Sequence, residues 1–178
     1  EGDRVEARVH PAMVPADSLL ANIHDEFNAV EVIGSAVGNQ VFYGRGAGQM
    51  PTASAVVSDM VELVERKLAG AGPAIGDMVL GEDARGIADF AQSTIRYYLR
   101  MWVCDQPGVM EKIAHVLAAE RIGIASVIQK ERDLEGKAVP LVIVTHEARE
   151  EAMQRAVREI DALDVVKAPL QLIRMEDL

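Results

Sequence analysis

One cysteine, Cys104, stands in 178 residues, which excludes an internal disulfide and a thiolate metal cluster. A lone cysteine can be a reactive thiol at a ligand site, but its ordinary use is as a small buried residue, here at a strand end. The four histidines, His10, His24, His115 and His146, show no ligand spacing such as H-x-x-x-H, so no metal site is expected. No run of about 18 apolar residues occurs, and Glu1-Gly2-Asp3-Arg4 is not a signal peptide. A cytoplasmic chain is expected. Positive charge is also scarce: 18 Lys and Arg face 28 Asp and Glu, a net charge of −10. Such a surface repels polyanions, so neither nucleic acid nor an anionic membrane is an expected partner.

What is present is ordinary material for a packed core, 49% hydrophobic and 26% charged. The length is near one domain and could hold two small ones. From Thr94 onward the pattern is strand, helix, strand, strand, helix, strand. Tyr97, Leu99, Met101 and Val103 alternate with Arg96, Tyr98, Arg100 and Trp102 over a first strand, Thr94 to Cys104. A helix from Pro107 to Glu120 carries Val109, Ile113, Val116 and Leu117 on one stripe, and Arg121-Ile122-Gly123 ends it, with glycine as the stop signal. Strands follow at Ile124 to Gln129 and, after a turn at Asp133 to Lys137, at Val139 to Thr145, with Pro140 marking the strand's start. A second helix from about Ala148 to Leu163 buries Met153, Ala156, Val157 and Ile160. Leu170 to Ile173 closes the sheet. This order is the ferredoxin-like βαββαβ unit.

The turn Asp105-Gln106-Pro107-Gly108-Val109 joins the first strand to its helix. Proline at the first helical position has φ already set, and Gly108 leaves the next amides uncovered by a Cβ. Exposed amides and the helix dipole suit a small anion such as an amino-acid carboxylate. Asp105 reads equally as a helix N-cap alone or as a cap that also touches ligand. Trp102 and Tyr98 read as buried in a sheet or domain contact rather than as exposed sensors.

The first seventy residues differ in texture. Val5 to His10 alternates like a half-exposed strand, and Asp17 or Ser18 could cap a helical turn through Leu19, Leu20 and Ile23. Phe27 to Ile33 and Asn39 to Tyr43 read as a hairpin around Gly34 to Gly38, followed by Gly44-Arg45-Gly46-Ala47-Gly48 and a helix from about Pro51 to Leu68. The glycine stretch fails the Rossmann fingerprint: the spacing is G-x-G-x-G, Pro51 stands where the last small residue belongs, and Asp59 and Glu62 lie on the helix itself. Spacing alone favours close packing over nucleotide contact. Three strands and one helix bury little, so this part is expected to be the tail of a larger domain. Ala69 to Gln92, glycine-rich with Met78-Val79-Leu80 as its one apolar cluster, reads as a linker with a short helix near Ile87 to Ala91.

Two resemblances sharpen this. The run Tyr98 to Met110, with Ile122-Gly123-Ile124-Ala125-Ser126 and Gln129 downstream, resembles an ACT domain, the amino-acid-sensing module of biosynthetic enzymes. The resemblance implies side-by-side pairing of two copies, with an effector between the strand–helix turn of one and the start of the second strand of its neighbour. Val9-His10-Pro11, Asn28-Ala29-Val30 and above all Phe42 to Asp59 resemble the end of the catalytic region of homoserine dehydrogenases, many of which continue into an ACT domain. The implied division is 1–69 as the C-terminal piece of a dehydrogenase catalytic domain, 70–92 as linker and 93–178 as ACT domain, an α+β chain overall.

The dehydrogenase resemblance implies NADP or NAD in a full-length enzyme of threonine and methionine biosynthesis, interconverting homoserine and aspartate semialdehyde. Gly48 is the position implied to approach the cofactor, with Arg45, Gly46 and Thr52 as neighbours. No catalytic residue of the family falls in this chain, so the chain alone is expected to be inactive and to hold no cofactor. Threonine is the favoured effector. Asp105, Gln106, Pro107, Gly108, Val109 and Met110 would hold it together with Gln129, against a wall of Ile122, Gly123, Ile124 and Ala125 from a second copy in a homodimer or larger homo-oligomer. A free-standing amino-acid-binding module is the alternative. An opening Glu, rather than Met, favours truncation over that alternative.

Overall fold

A computed structural model describes residues 4–71, 86–129 and 138–176. The turn expected at Asp133 to Lys137 and most of the expected linker, 72–85, lie outside the described residues. In chain order the elements are β1 (Arg4–Val5), β2 (Ala12–Met13), β3 (Phe27–Gly34), β4 (Gly38–Arg45), α1 (Gln49–Leu68), β5 (Gly86–Ile87), β6 (Thr94–Cys104), α2 (Val109–Ala119), β7 (Ile124–Ile128), β8 (Ala138–Thr145), β9 (Ala148–Arg149), α3 (Glu150–Asp161) and β10 (Val166–Met175). Short 3-10 turns occupy Leu20–Asn22 and Phe90–Gln92.

The chain forms two compact units, one of Glu1–Val14 with Arg85–Leu178 and the other of Pro15–Ala84. This division differs from the expected one. Residues near the start join the C-terminal unit: β2 adds in parallel to the sheet at β10, and β1 forms a separate two-stranded parallel pairing with β5. Of the expected strand Val5 to His10 only Val5 is paired, at the end of β1; residues 6–10 carry no strand, and the next pairing falls beyond them at Ala12–Met13.

In the first unit, β10-β6-β8-β7 form the antiparallel βαββαβ sheet, with β2 added at the β10 edge. Period-two alternation puts Ile95, Tyr97, Leu99, Met101 and Val103 of β6 inside. Val139, Leu141 and Ile143 of β8 meet them there. α2 brings Val109, Ile113, Val116 and Leu117, the stripe its spacing requires, and α3 brings Ala152, Met153, Ala156 and Ile160. Val157 is only half-buried, at the rim of this core.

Pro140 lies inside β8 rather than at its start, beyond the last pairing with β7 among the described residues, Ile128↔Val142. β10 is longer than its apolar core suggests; register shifts on both sides of Ala168 accommodate Pro169. Cys104 is half-buried and Trp102 is exposed, its ring 5.9 Å from the Arg100 guanidinium.

The end of α2 departs from expectation. Ile122 N–H reaches Leu117 O at 2.8 Å and Arg121 N–H reaches Ala118 O at 3.0 Å, the paired bonds of a Schellman cap. The left-handed residue in it is Arg121, φ 59°, not Gly123. Gly123 is closely approached instead: a Cβ there would sit 3.1 Å from His146 Cδ2, tighter than an ordinary contact. Arg121→Gly is therefore expected to raise stability by about 1 kcal/mol by relieving the left-handed penalty, measured as a higher thermal midpoint.

The second unit holds the β3–β4 hairpin, in register from Phe27↔Arg45 to Gly34↔Gly38, and α1. Ser18 Oγ accepts the Ala21 N–H at 3.2 Å and starts the 3-10 turn at Leu20. None of its described residues is buried; Val30, Phe42, Met60 and Leu68 are all more than half exposed. Among the described residues, no helix is long and apolar enough to cross a membrane.

Candidate functional site

The turn after β6 is open. Gly108 adopts φ 90°, and a Cβ built on it would meet nothing within 4 Å. α2 begins at Val109, its first intrahelical bond running from Lys112 N–H to Gly108 O at 3.1 Å. Pro107 thus lies in the turn, one residue ahead of the cap, and is not the first helical residue. The left-handed glycine forces this, since helical φ and ψ cannot extend back through it. No side chain caps α2. The reading of Asp105 as an N-cap is therefore corrected: its Oδ1 instead faces Gln129 Nε2 at 3.5 Å, the outer limit of a hydrogen bond. The first-turn amides of α2 lack an intrahelical partner.

Sheet order fixes where the other expected ligand residues stand. β6 and β7 are both antiparallel to β8 and therefore parallel to each other. The turn at 105–110 follows the end of β6, whereas Ile122 to Ala125 lie at the start of β7, beside Thr145. The 11 residues of α2 separate the two groups by about 16 Å. Within one chain the fold brings Asp105 and Gln129 together and keeps 122–125 at the far end. β7 is a sheet edge with Val127 and Ile128 each 44% exposed.

In the second unit the glycine turn is partly committed to internal contacts. Gly46 and Ala47 N–H both reach Glu26 O, at 3.2 and 3.3 Å. A Cβ on Gly46 would fall 1.8 Å from Asn28 Nδ2. Gly46 is thus a packing glycine. Gly46→Ala is expected to push Asn28 aside and destabilise the hairpin by about 1 kcal/mol, seen as faster amide exchange along β3. Gly48 differs, with φ 110° and ψ 154° at the N-cap of α1, a conformation essentially confined to glycine. Thr52 N–H bonds to its carbonyl at 3.1 Å. Arg45 pairs with Glu26 at 3.1 Å and lies 5.2 Å from the Phe27 ring centroid. Among the described residues, no cluster of His, Cys, Asp and Glu could hold a metal.

Sequence reasoning missed one cluster. Glu150, 4% exposed at the first position of α3, accepts from Tyr97 Oη at 3.0 Å, Gln154 Nε2 at 2.8 Å and Arg174 Nε at 2.9 Å. Burial alone would push its carboxyl up, but bonds from Arg174, Gln154 and Tyr97 outweigh it and hold the group below its ordinary value. Burial, then the bond to Glu150, pushes the Tyr97 phenol well above its own. The only local trace of this cluster is an acid opening a helix with Gln four residues on; Tyr97 and Arg174 are too distant in sequence to be read as partners.

Comparison with known proteins bears on both units. A family model described as homoserine dehydrogenase matches residues 2–61, which include the hairpin and the glycine turn. Homoserine dehydrogenase of Pseudomonas aeruginosa is 38% identical over 176 residues, 97% of this chain and 41% of the relative. That of Neisseria gonorrhoeae is 39% identical over 180 residues, 99% of this chain and 41% of the relative. The chain is similar over nearly its whole length to part of these homoserine dehydrogenases. A crystal structure of homoserine dehydrogenase from Thiobacillus denitrificans matches with TM-score 0.77 and 34% identity over 99% of this chain and 40% of its own. The chain thus spans about two fifths of the homoserine dehydrogenases it matches, and the likeness runs through both the glycine turn and the ACT-like sheet.

Proposed function

We propose that the chain is the regulatory end of an NAD(P)-dependent homoserine dehydrogenase, binding threonine as a feedback effector at an ACT-type site completed by a second copy. The observation that carries this is the separation of the two halves of the site. The open Gly108 turn and the start of β7 lie at opposite ends of one sheet. If two β7 edges pair antiparallel about a two-fold axis, the start of one strand comes beside the end of the other, and each turn gains the partner's 122–125 as a wall. Exposed Val127 and Ile128 suit such an edge.

In this site the amides of Gly108, Val109 and Met110 hold the carboxylate. Asp105, kept in place by Gln129, takes the ammonium or hydroxyl. Gln106 and Pro107 shape the turn. In the second unit, Gly48 is the position suited to a nucleotide cofactor, since a side chain there is excluded by its backbone conformation. Such a cofactor would supply hydride chemistry; Gly46 and Ala47 amides, already bonded to Glu26, have no part in holding it. The uncovered apolar residues of the hairpin and α1 fit a segment whose core is completed by the rest of a dehydrogenase.

A sensor acting by binding alone is the second reading, favoured by one observation: among the described residues, every buried core residue belongs to the unit containing the ACT-like sheet. Calorimetric titration with threonine tests the proposal, with isoleucine, methionine, lysine and NADP as controls. Saturable threonine binding supports it, and binding of none of the amino acids would refute the effector site.

A further inference from the structure

The two chain segments that lead into and out of the second unit, residues 4–14 and 86–93, are both fastened to the ACT-like sheet, and a continuous line of contacts joins them to the start of β7. Ile124 pairs with Thr145 in the β7–β8 ladder. Thr145 Oγ1 accepts the Tyr97 N–H at 3.1 Å, and Tyr97 Oη donates to Glu150 at 3.0 Å. Glu150 holds Arg174, whose guanidinium lies 5.0 Å from the Phe90 ring centroid, and Phe90 stacks on His10 at 6.0 Å. Phe90 and His10 belong one to each connecting segment.

The segments close on each other by a minimal pairing, Arg4↔Gly86 and Val5↔Ile87, with Ala88 N–H to Val5 O at 2.8 Å. Val5 and Ile87 are 51% and 79% exposed. So short and solvated a pairing opens at low cost, whereas the core sheet does not. Such a pairing is suited to act as an element that a small bias shifts between open and closed.

We propose that the Thr145–Tyr97–Glu150–Arg174 line is a relay that couples ligand state at the start of β7 to the closure of these two segments, with Tyr97 as the positioning residue. The ligand part rests on the effector reading above. Because the connecting segments are the two covalent links between the units, the relay gives an amino acid bound at the sheet a path to whatever 15–84 carries.

Amide exchange at Ala88 in the full chain tests this, with and without saturating threonine. In the unmodified chain, threonine changes the Ala88 exchange rate at least about five-fold. In Tyr97→Phe, which keeps the ring and removes the hydroxyl, threonine affinity is retained and the change at Ala88 disappears. Phe90→Leu, outside the sheet core, gives the same uncoupling should Tyr97→Phe fold poorly. Without any ligand, Tyr97→Phe already exchanges Ala88 several-fold faster, while amides within β8 keep their rates. Threonine binding with no change at Ala88, or an unaltered response in both variants, overturns the relay. Absence of threonine binding overturns the effector site instead, and the ligand-free comparison then decides the relay alone: equal Ala88 rates in the unmodified chain and Tyr97→Phe would refute it.

Discussion

Replacing Glu150 by alanine is expected to cost about 3 kcal/mol of stability, measured by urea denaturation. The change leaves the Arg174 guanidinium, only 17% exposed, without its carboxylate, and the Tyr97 hydroxyl without its acceptor. Some water still reaches Arg174, which sets the estimate at the low end for a broken buried pair. Glu150→Gln keeps the shape and an acceptor for Tyr97 and should cost less.

The same group gives a pH signature. Its folded-state carboxyl lies below its ordinary value, because the bonds from Arg174, Gln154 and Tyr97 outweigh the effect of burial. The unfolded chain therefore binds this proton first, so the stabilisation is present above the unfolded value and is lost as pH falls through the folded one. The urea midpoint should decline as pH falls from about 5 to about 3, and Glu150→Gln should flatten the decline. Asp164 with Lys112 and Glu120 with Arg155 shift in the same direction but face solvent, so their share is small.

Gly108→Val is expected to weaken threonine binding by more than about ten-fold, a loss of at least about 1.4 kcal/mol of binding free energy. A β-branched residue is a genuine outlier at φ 90°, so the turn must rearrange, and the amides of Val109 and Met110 that follow it move with it. The space around Gly108 is empty, so the core loses nothing by steric overlap. Thermal unfolding should show a drop of only about 1–2 kcal/mol, against the much larger proportional loss of binding.

Much of the sheet was legible in the sequence because both periodicities were undisturbed. The β6 alternation and the four-residue stripe of α2 both follow from which positions were apolar. What was not legible has a physical reason in each case. The place of Pro107 depends on the left-handed state of Gly108, and that of Arg121 on the Schellman bonds; a D-x-P-G string or a nearby glycine reports neither. Asp105 was available as a cap by type alone, and only the position of Gln129 shows where its carboxylate turns. Residues 4–14 join the distant unit through two-residue pairings, β1 with β5 and β2 with β10, too short to leave a pattern. The Glu150 cluster joins residues 53 and 24 positions apart, across three elements.

The shared site is tested most directly by mixing two variants that are each deficient in threonine binding, Gly108→Val at the turn and Ala125→Trp at the wall. Sites built from both copies predict that the mixture regains saturable threonine binding, since a mixed pair holds one site with an intact turn facing an intact wall. A mixture that binds no better than either variant alone, under conditions where the chains exchange, would contradict a site shared between two copies.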